Sequence, residues 1–135
     1  MTEYTNMNEK QDKNNPDERR TLFVDVSFCN GTLNASIAGP RIGEREASIV
    51  ANAVNAKINE FGNKVTSLVL DFTDVRFVSS LGLGMCIDVR NTAENYDAGT
   101  AIVGLTNHLK ELFEMMRLDR LFKIQSANPP ISAAA

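Results

Sequence analysis

Two adjacent serines, Ser79 and Ser80, are the residues of this chain best placed to do chemistry. They stand where a helical pattern begins, after an apolar run at Leu68–Leu70 and a polar loop. A serine at that position can accept a hydrogen bond from a free N–H group of the first helical turn. A phosphate attached to it would lie at the positive end of the helix dipole. The pair therefore predicts a helix cap or a phosphorylation switch, and the residues alone favour the cap.

Other candidate groups give weaker signals. Asp71 and Asp74 follow the apolar run, but two carboxylates alone make a poor site for a divalent cation, and turn formation explains them better. Gly82 and Gly84 resemble part of a nucleotide-binding loop that lacks its third glycine. Close packing of a helix start is the better interpretation of these glycines. We expect no catalytic residue, no metal and no cofactor.

The remaining reactive side chains favour a binding protein over an enzyme. His108 is the single histidine, and we expect it to be exposed in the first turn of a helix. The serine-hydrolase motif GxSxG is absent. Cys29 and Cys86 show no metal-binding spacing, and both are expected to be small buried hydrophobic side chains. The three methionines outside the N-terminal segment fit core filling better than an adaptable groove: Met85, Met115 and Met116.

The composition is that of one soluble domain. The chain has 135 residues, of which 43% are hydrophobic and 23% charged, and its net charge is −3. Acidic and basic residues are interspersed, and the slightly negative net charge argues against nucleic acid or an anionic membrane as the main partner. No apolar stretch is long enough for membrane insertion, and the N-terminus lacks the apolar core of a secretory signal. We therefore expect a cytoplasmic protein.

The elements that position the serines follow from composition and periodicity. Residues 1–20 are predicted to be a disordered tail and residues 126–135 a second tail, which leaves residues 21–125 as a single domain. Alternating apolar residues on either side of Asn30-Gly31 predict a β-hairpin. Gly39-Pro40 then ends the second strand.

Helices alternate with strands over the rest of the domain. The predicted elements are a helix with its apolar face at Ala47–Phe61, a strand at Val65–Phe72, a helix from Ser80 to about Tyr96, a strand at Thr100–Leu105, a helix capped by Asn107 and a last strand near Leu121–Ile124. Leu109, Leu112, Phe113 and Met116 are expected on the inner face of the third helix. The order ββαβαβαβ predicts an α/β fold with a mixed, mostly parallel sheet, in which Val65–Phe72 and Thr100–Leu105 lie close together and parallel.

The stretch Leu68–Gly84 resembles the signature of the STAS family, the sulfate-transporter and anti-sigma-factor-antagonist domains. That signature is an apolar strand ending in Asp, a short loop, then Phe, an aliphatic residue and Asp-Ser-Ser/Thr-Gly-Leu-Gly. Gly82-Leu83-Gly84 matches its end, and Ser80 falls on the phosphorylated serine or threonine of the family. Leu118–Ile124 also resembles the family's closing segment. The resemblance covers Thr21–Ile124 and implies a single STAS-like domain.

The resemblance implies a function as an anti-sigma factor antagonist. Such a protein binds an anti-sigma factor that is also a serine kinase, and phosphorylation, here of Ser80 or alternatively Ser79, breaks the complex until a phosphatase restores it. The ATP belongs to the kinase, so this chain would not be an enzyme. The implied partner-binding residues are Pro40, Arg41, Ile42, Gly43, Ser79, Ser80, Leu81, Gly82, Leu83 and Met85.

Departures from the signature support other functions. Ser79 stands where the family usually has Asp, Leu81 replaces a small hydroxyl residue, and Gly39–Gly43 lacks the Asp found there in many members. These changes favour a STAS scaffold or transporter-associated subunit that is never phosphorylated. A third hypothesis is an enzyme or small-ligand site at the strand ends near Asp71 and Asp74.

Overall fold

A computed structural model describes residues 23–125 of the chain. The predicted tails at 1–20 and 126–135 lie outside the described residues. The elements are, in order, β1 (Val24–Cys29), β2 (Thr32–Ile37), β3 (Arg41–Ile42), α1 (Glu44–Phe61), a 3-10 turn (Gly62–Lys64), β4 (Ser67–Asp71), β5 (Phe77–Val78), α2 (Ser80–Glu94), β6 (Gly99–Val103), α3 (Asn107–Met115), a second 3-10 turn (Leu118–Arg120) and β7 (Lys123–Gln125).

The hairpin forms where the sequence predicts it. β1 pairs antiparallel with β2, from Val24 opposite Ile37 to Cys29 opposite Thr32. Asn30 and Gly31 form the turn with φ values of 50° and 84°. Positive φ at both central residues is the geometry of a primed two-residue turn, which favours asparagine and glycine. The Asn30-Gly31 prediction is confirmed.

The main sheet has five strands in the order β1-β2-β4-β6-β7, and every pair except the hairpin is parallel. β4 and β6 are direct neighbours, with Ser67 opposite Gly99 and Asp71 opposite Val103. The α/β fold with a mixed, mostly parallel sheet is therefore confirmed. Each crossover moves one or more strands in the same direction, so right-handed connections place α1, α2 and α3 on one face.

Successive side chains of each strand point alternately to a buried and to an accessible face of the main sheet. Side chains that point toward the helices are fully buried, and Leu33, Leu68, Leu70 and Ile102 belong to this core. On β2 the intervening residues Asn34 and Ser36 are exposed. The core thus lies between the sheet and its three helices, as period-two burial in a two-layer domain requires.

Two short strands were not predicted. β3 and β5 form a separate parallel pair, with Arg41 opposite Phe77 and Ile42 opposite Val78. Each strand has only two residues, so neither can show an alternating pattern in the sequence. The pair lies in the loops that precede α1 and α2 and joins them.

Several local predictions were wrong. Thr106 caps α3 in place of Asn107, because its side chain accepts a hydrogen bond from Leu109 N. Met115 and Met116 are 74% and 54% exposed, so neither fills the core, whereas Met85 is buried as expected. Cys29 is exposed, although a buried side chain was predicted, and Cys86 is buried.

The two cysteines should differ sharply in reactivity. Burial raises the pKa of the Cys86 thiol to about 12, so at pH 8 it stays protonated as well as covered. We expect Ellman's reagent to titrate one thiol per folded chain at pH 8 and two in concentrated urea. The Cys29→Ser variant should show no fast reaction while folded. Rapid reaction of that folded variant would contradict the burial of Cys86.

Candidate functional site

Ser79 and Ser80 have different positions at the start of α2. Ser79 is the N-cap, with extended backbone angles and a side-chain oxygen that accepts a hydrogen bond from Gly82 N at 3.1 Å. Ser80 is the first residue of the helix and is exposed. The helix therefore begins at Ser80 as predicted, and Ser79 is the member of the pair that caps it. Ser79 uses its hydroxyl to satisfy the helix, whereas that of Ser80 makes no hydrogen bond within residues 23–125.

The β3–β5 pair brings two distant loops to this helix start. Pro40 O accepts hydrogen bonds from Arg76 N at 2.8 Å and from Phe77 N at 2.9 Å. Ser79 N donates to Ile42 O at 2.9 Å. The segment 40–43 and the segment 77–80 thus form one continuous surface, which is the arrangement that the implied partner site requires. Binding of a partner at this surface stays a prediction.

Gly82 lets α2 approach this pair closely. A Cβ atom at position 82 would lie 2.6 Å from Val78 Cγ1 and 2.9 Å from Ile42 O, which is closer than real side chains come. Gly84 differs, because a Cβ there would meet nothing within 4 Å. The interpretation of the glycines as packing residues therefore holds for Gly82 only.

The ten implied partner-binding residues fall into three groups by burial. The exposed residues are Pro40, Arg41, Ser80 and Leu81; the half-buried ones are Gly43 and Ser79; and the buried ones are Ile42, Gly82, Leu83 and Met85. The buried group shapes the surface from beneath. Its side chains offer a partner little contact area in this conformation.

Phe77 is a surface residue that the sequence reasoning missed. It is 43% exposed, and the Arg41 guanidinium lies 4.6 Å from its ring centre. A cation over an aromatic face is a favourable contact of about 0.5–1 kcal/mol at an exposed site. Its signal in the sequence was its place in the phosphosite signature, directly before a buried Val78. We call the surface formed by residues 40–43 and 77–81 the serine end of the domain. Phe77 and Leu81, which is 53% exposed, give this surface two large apolar side chains.

The aspartates after β4 form a turn. Asp71 Oδ1 accepts hydrogen bonds from Thr73 N at 2.9 Å and from Thr73 Oγ1 at 2.6 Å. This confirms the turn interpretation for Asp71. Across residues 23–125 no group of three or more His, Cys, Asp or Glu side chains is arranged to hold a metal ion. His108 is exposed in the first turn of α3, as predicted.

A groove runs between the first three turns of α1 and those of α2 and begins beside Leu81. We call it the α1–α2 groove; its volume is about 400 Å³ and its lining is Glu44, Ala47, Ser48, Ala51, Asn52, Leu81, Gly84, Met85 and Asp88. Small side chains form much of its floor. It extends the accessible surface of the serine end along both helices.

The two glycines of α2 should respond oppositely to substitution by alanine. Gly82→Ala should destabilise the domain by about 1–3 kcal/mol, because the added methyl overlaps Val78 and Ile42. Gly84→Ala should stabilise it by about 0.5–1 kcal/mol through helix propensity, since the site is open. Urea unfolding of both variants beside the wild type measures the difference. Equal shifts of the two midpoints would contradict the close approach at Gly82.

Substitution of the two serines by alanine should affect the stability of the domain differently. Ser79→Ala leaves Gly82 N without its acceptor and should cost about 1 kcal/mol of unfolding free energy. Ser80→Ala removes an exposed hydroxyl at the first helical position and should change stability by less than about 0.5 kcal/mol. Thermal or urea unfolding compares them. If Ser80→Ala lowered the unfolding free energy more than Ser79→Ala, the assignment of Ser79 as the cap would be contradicted.

Solved structures resemble this chain in fold. The Bacillus cell fate determinant SpoIIAA in its phosphorylated form superposes with a TM-score of 0.62 at 13% identity, over 82% of this chain and 96% of that one. An anti-sigma factor antagonist from Mycobacterium paratuberculosis gives 0.63 at 22% identity, over 82% and 88%. The murine anion transporter Slc26a9 gives 0.59 at 18% identity, over 76% of this chain but only 17% of the transporter. Identities this low show the fold alone.

Three further findings accompany this likeness in fold. No curated protein sequence matches this chain. No helix between residues 23 and 125 has both the length and the apolar character needed to cross a membrane. A model of the STAS domain family matches residues 22–128. That match spans the whole described fold, including the serine end and the closing segment, and the chain belongs to the STAS domain family.

Proposed function

We propose that this chain is a bacterial anti-sigma factor antagonist that acts in the cytoplasm as a regulatory binding protein and is not an enzyme. Its partner is an anti-sigma factor with serine-kinase activity, and its binding surface is the serine end of the domain. The observation that carries the proposal is the position of Ser80. Its exposed hydroxyl stands at the first turn of α2, beside the bonded loop 40–43, at the family's phosphoacceptor position.

The chemistry of the switch belongs to the partner. The kinase binds ATP and transfers its γ-phosphoryl group to Ser80 Oγ; the hydroxyl proton passes to a base of the kinase, and ADP leaves. A phosphatase hydrolyses the ester and returns the serine. Ser80 is favoured over the alternative Ser79, because the Ser79 hydroxyl is half-buried and engaged with Gly82 N.

The phosphate has opposite effects in the free and the bound protein. It adds about −1.5 to −2 charges at neutral pH, and the free N-terminus of α2 stabilises negative charge. In the complex, a partner that covers Phe77 and Leu81 should also cover Ser80, which lies between these exposed residues in the sequence. A phosphate there would be taken out of water, and a charge left unpaired in the interface costs several kcal/mol.

Because Ser79 is neutral, phosphorylation of Ser80 should weaken partner binding less than it does in relatives with aspartate at this position. An aspartate at the cap would add a fixed negative charge beside the phosphate, and serine adds none. Repulsion within the domain is therefore weaker than in relatives that carry the acidic residue. Phosphorylation should still weaken binding, but by a smaller factor.

A scaffold or transporter-associated subunit that never cycles is the alternative function. The departures at Ser79 and Leu81 and the lack of an aspartate in 39–43 favour it. The fold likeness to a segment of the Slc26a9 transporter is consistent with it. Under this alternative Ser80 is an ordinary surface residue.

Ser80 variants decide between the two functions. Incubation with a serine-kinase anti-sigma factor from the same organism and radiolabelled ATP should label the wild type and Ser79→Ala but leave Ser80→Ala unlabelled. Isothermal titration against the same kinase should show near-normal binding of Ser80→Ala. Ser80→Glu should bind more weakly by over ~1 kcal/mol, because a charge is buried against the partner.

Two outcomes would reject the phosphorylation switch at Ser80. Labelling that persists in Ser80→Ala and is lost in Ser79→Ala would move the site to the cap. Equal affinities of the wild type and Ser80→Glu would favour the constitutive scaffold.

A further inference from the structure

The α1–α2 groove is an open hollow between two helices, a place where a third helix can pack. α1 and α2 are both crossover helices on the same face of the sheet, so they run parallel to each other. The floor between them includes Ala47, Ala51 and Gly84, whose small size leaves room for a close approach. An amphipathic helix that binds in a groove between helices contacts them through residues spaced three and four apart.

Gly84 faces this groove without a structural role of its own. Nothing lies within 4 Å of a Cβ built there, and the residue is exposed in the middle of a helix. Glycine in a helix interior costs about 0.5–1 kcal/mol relative to alanine. The packing that explains Gly82 does not explain Gly84, whereas an external backbone or side chain resting on α2 at this point does.

The charge of the groove selects its occupant. Glu44 lines one side and Asp88 the other, and none of its lining residues is a lysine or arginine. One oxygen of Asp88 accepts a hydrogen bond from Asn55 at 3.1 Å, which fixes the carboxylate at the groove's edge. Arg45 lies on the adjoining surface, where it lines the neighbouring hollow with Glu44, Ser48 and Ile49. A segment carrying a lysine or arginine is therefore the complementary partner.

We propose that the α1–α2 groove binds an amphipathic helix of the anti-sigma kinase. The apolar side of that helix packs on Leu81 and on the small residues Ala51 and Gly84, and a basic residue pairs with Glu44 or Asp88. The inference rests on the proposed function, because it takes the kinase as the partner. Leu81 belongs to both the groove and the serine end, so the helix would continue the contact surface directly from Ser80.

Substitutions that fill or recharge the groove test this proposal without disturbing the core. Gly84→Leu places a side chain in open space and should weaken titrated binding to the same serine-kinase anti-sigma factor at least tenfold, while the melting temperature stays equal or rises. Glu44→Lys and Asp88→Lys combined should also weaken it at least tenfold. The matched controls are Lys110→Leu and Glu111→Lys, both exposed on α3 and away from the groove, and they should bind as the wild type does.

Amide hydrogen exchange locates the contact independently. In the complex, slowed exchange should cover 44–52 and 81–88 together. If the wild type binds and both groove variants bind equally well, the groove inference is overturned and the proposed function stands. If the wild type does not bind the kinase at all, the proposed function falls, and the groove inference falls with it.

Discussion

Three hydrogen bonds between the loops before α1 and α2 hold the serine end of this domain together. Pro40 O receives two of them, from Arg76 N and Phe77 N, and Ile42 O receives the third from Ser79 N. Ile42 O also stands 2.9 Å from where a Cβ of residue 82 would be. One backbone carbonyl therefore fixes the helix cap and requires glycine at the first turn. The position of Ser80 depends on both restraints.

The serine end consists of a buried layer of side chains and an exposed layer above it. Ile42, Val78 and Leu83 are buried beneath it and belong to the same core as the sheet. Ser80, Leu81 and Phe77 lie above them in reach of a partner. The exposed groups thus stand on buried side chains of the main core, and under the proposed function a phosphate on Ser80 would be added directly at the contact surface.

The sequence predicted the elements that are long enough to show a repeating pattern of apolar residues. The hairpin, the crossover helices and the parallel neighbours β4 and β6 follow from alternation, helical spacing and the rule of right-handed connections. It could not predict β3 and β5, since two-residue strands carry no period. It placed the cap of α3 one residue late, at Asn107, and it did not choose between Ser79 and Ser80 as the cap of α2. Each is a pair of good capping residues, and only backbone angles choose between its members. Exposure of Cys29, Met115 and Met116 likewise depends on which face each element turns to the core, which local composition does not determine.

The β3–β5 pair also affects how the domain opens. Two residues per strand give this pair far fewer ladder contacts than the five-stranded sheet, and it is not hydrogen-bonded to that sheet. Regions with few buried contacts open at a lower free energy than the global unfolding transition. The surface that bears Ser80 is thus joined to a strand pair with few ladder contacts. A bound protein that clamps 40–43 onto 77–79 would remove this local opening, so binding at the serine end would alter the entropy of the loops as well as the contacts they make.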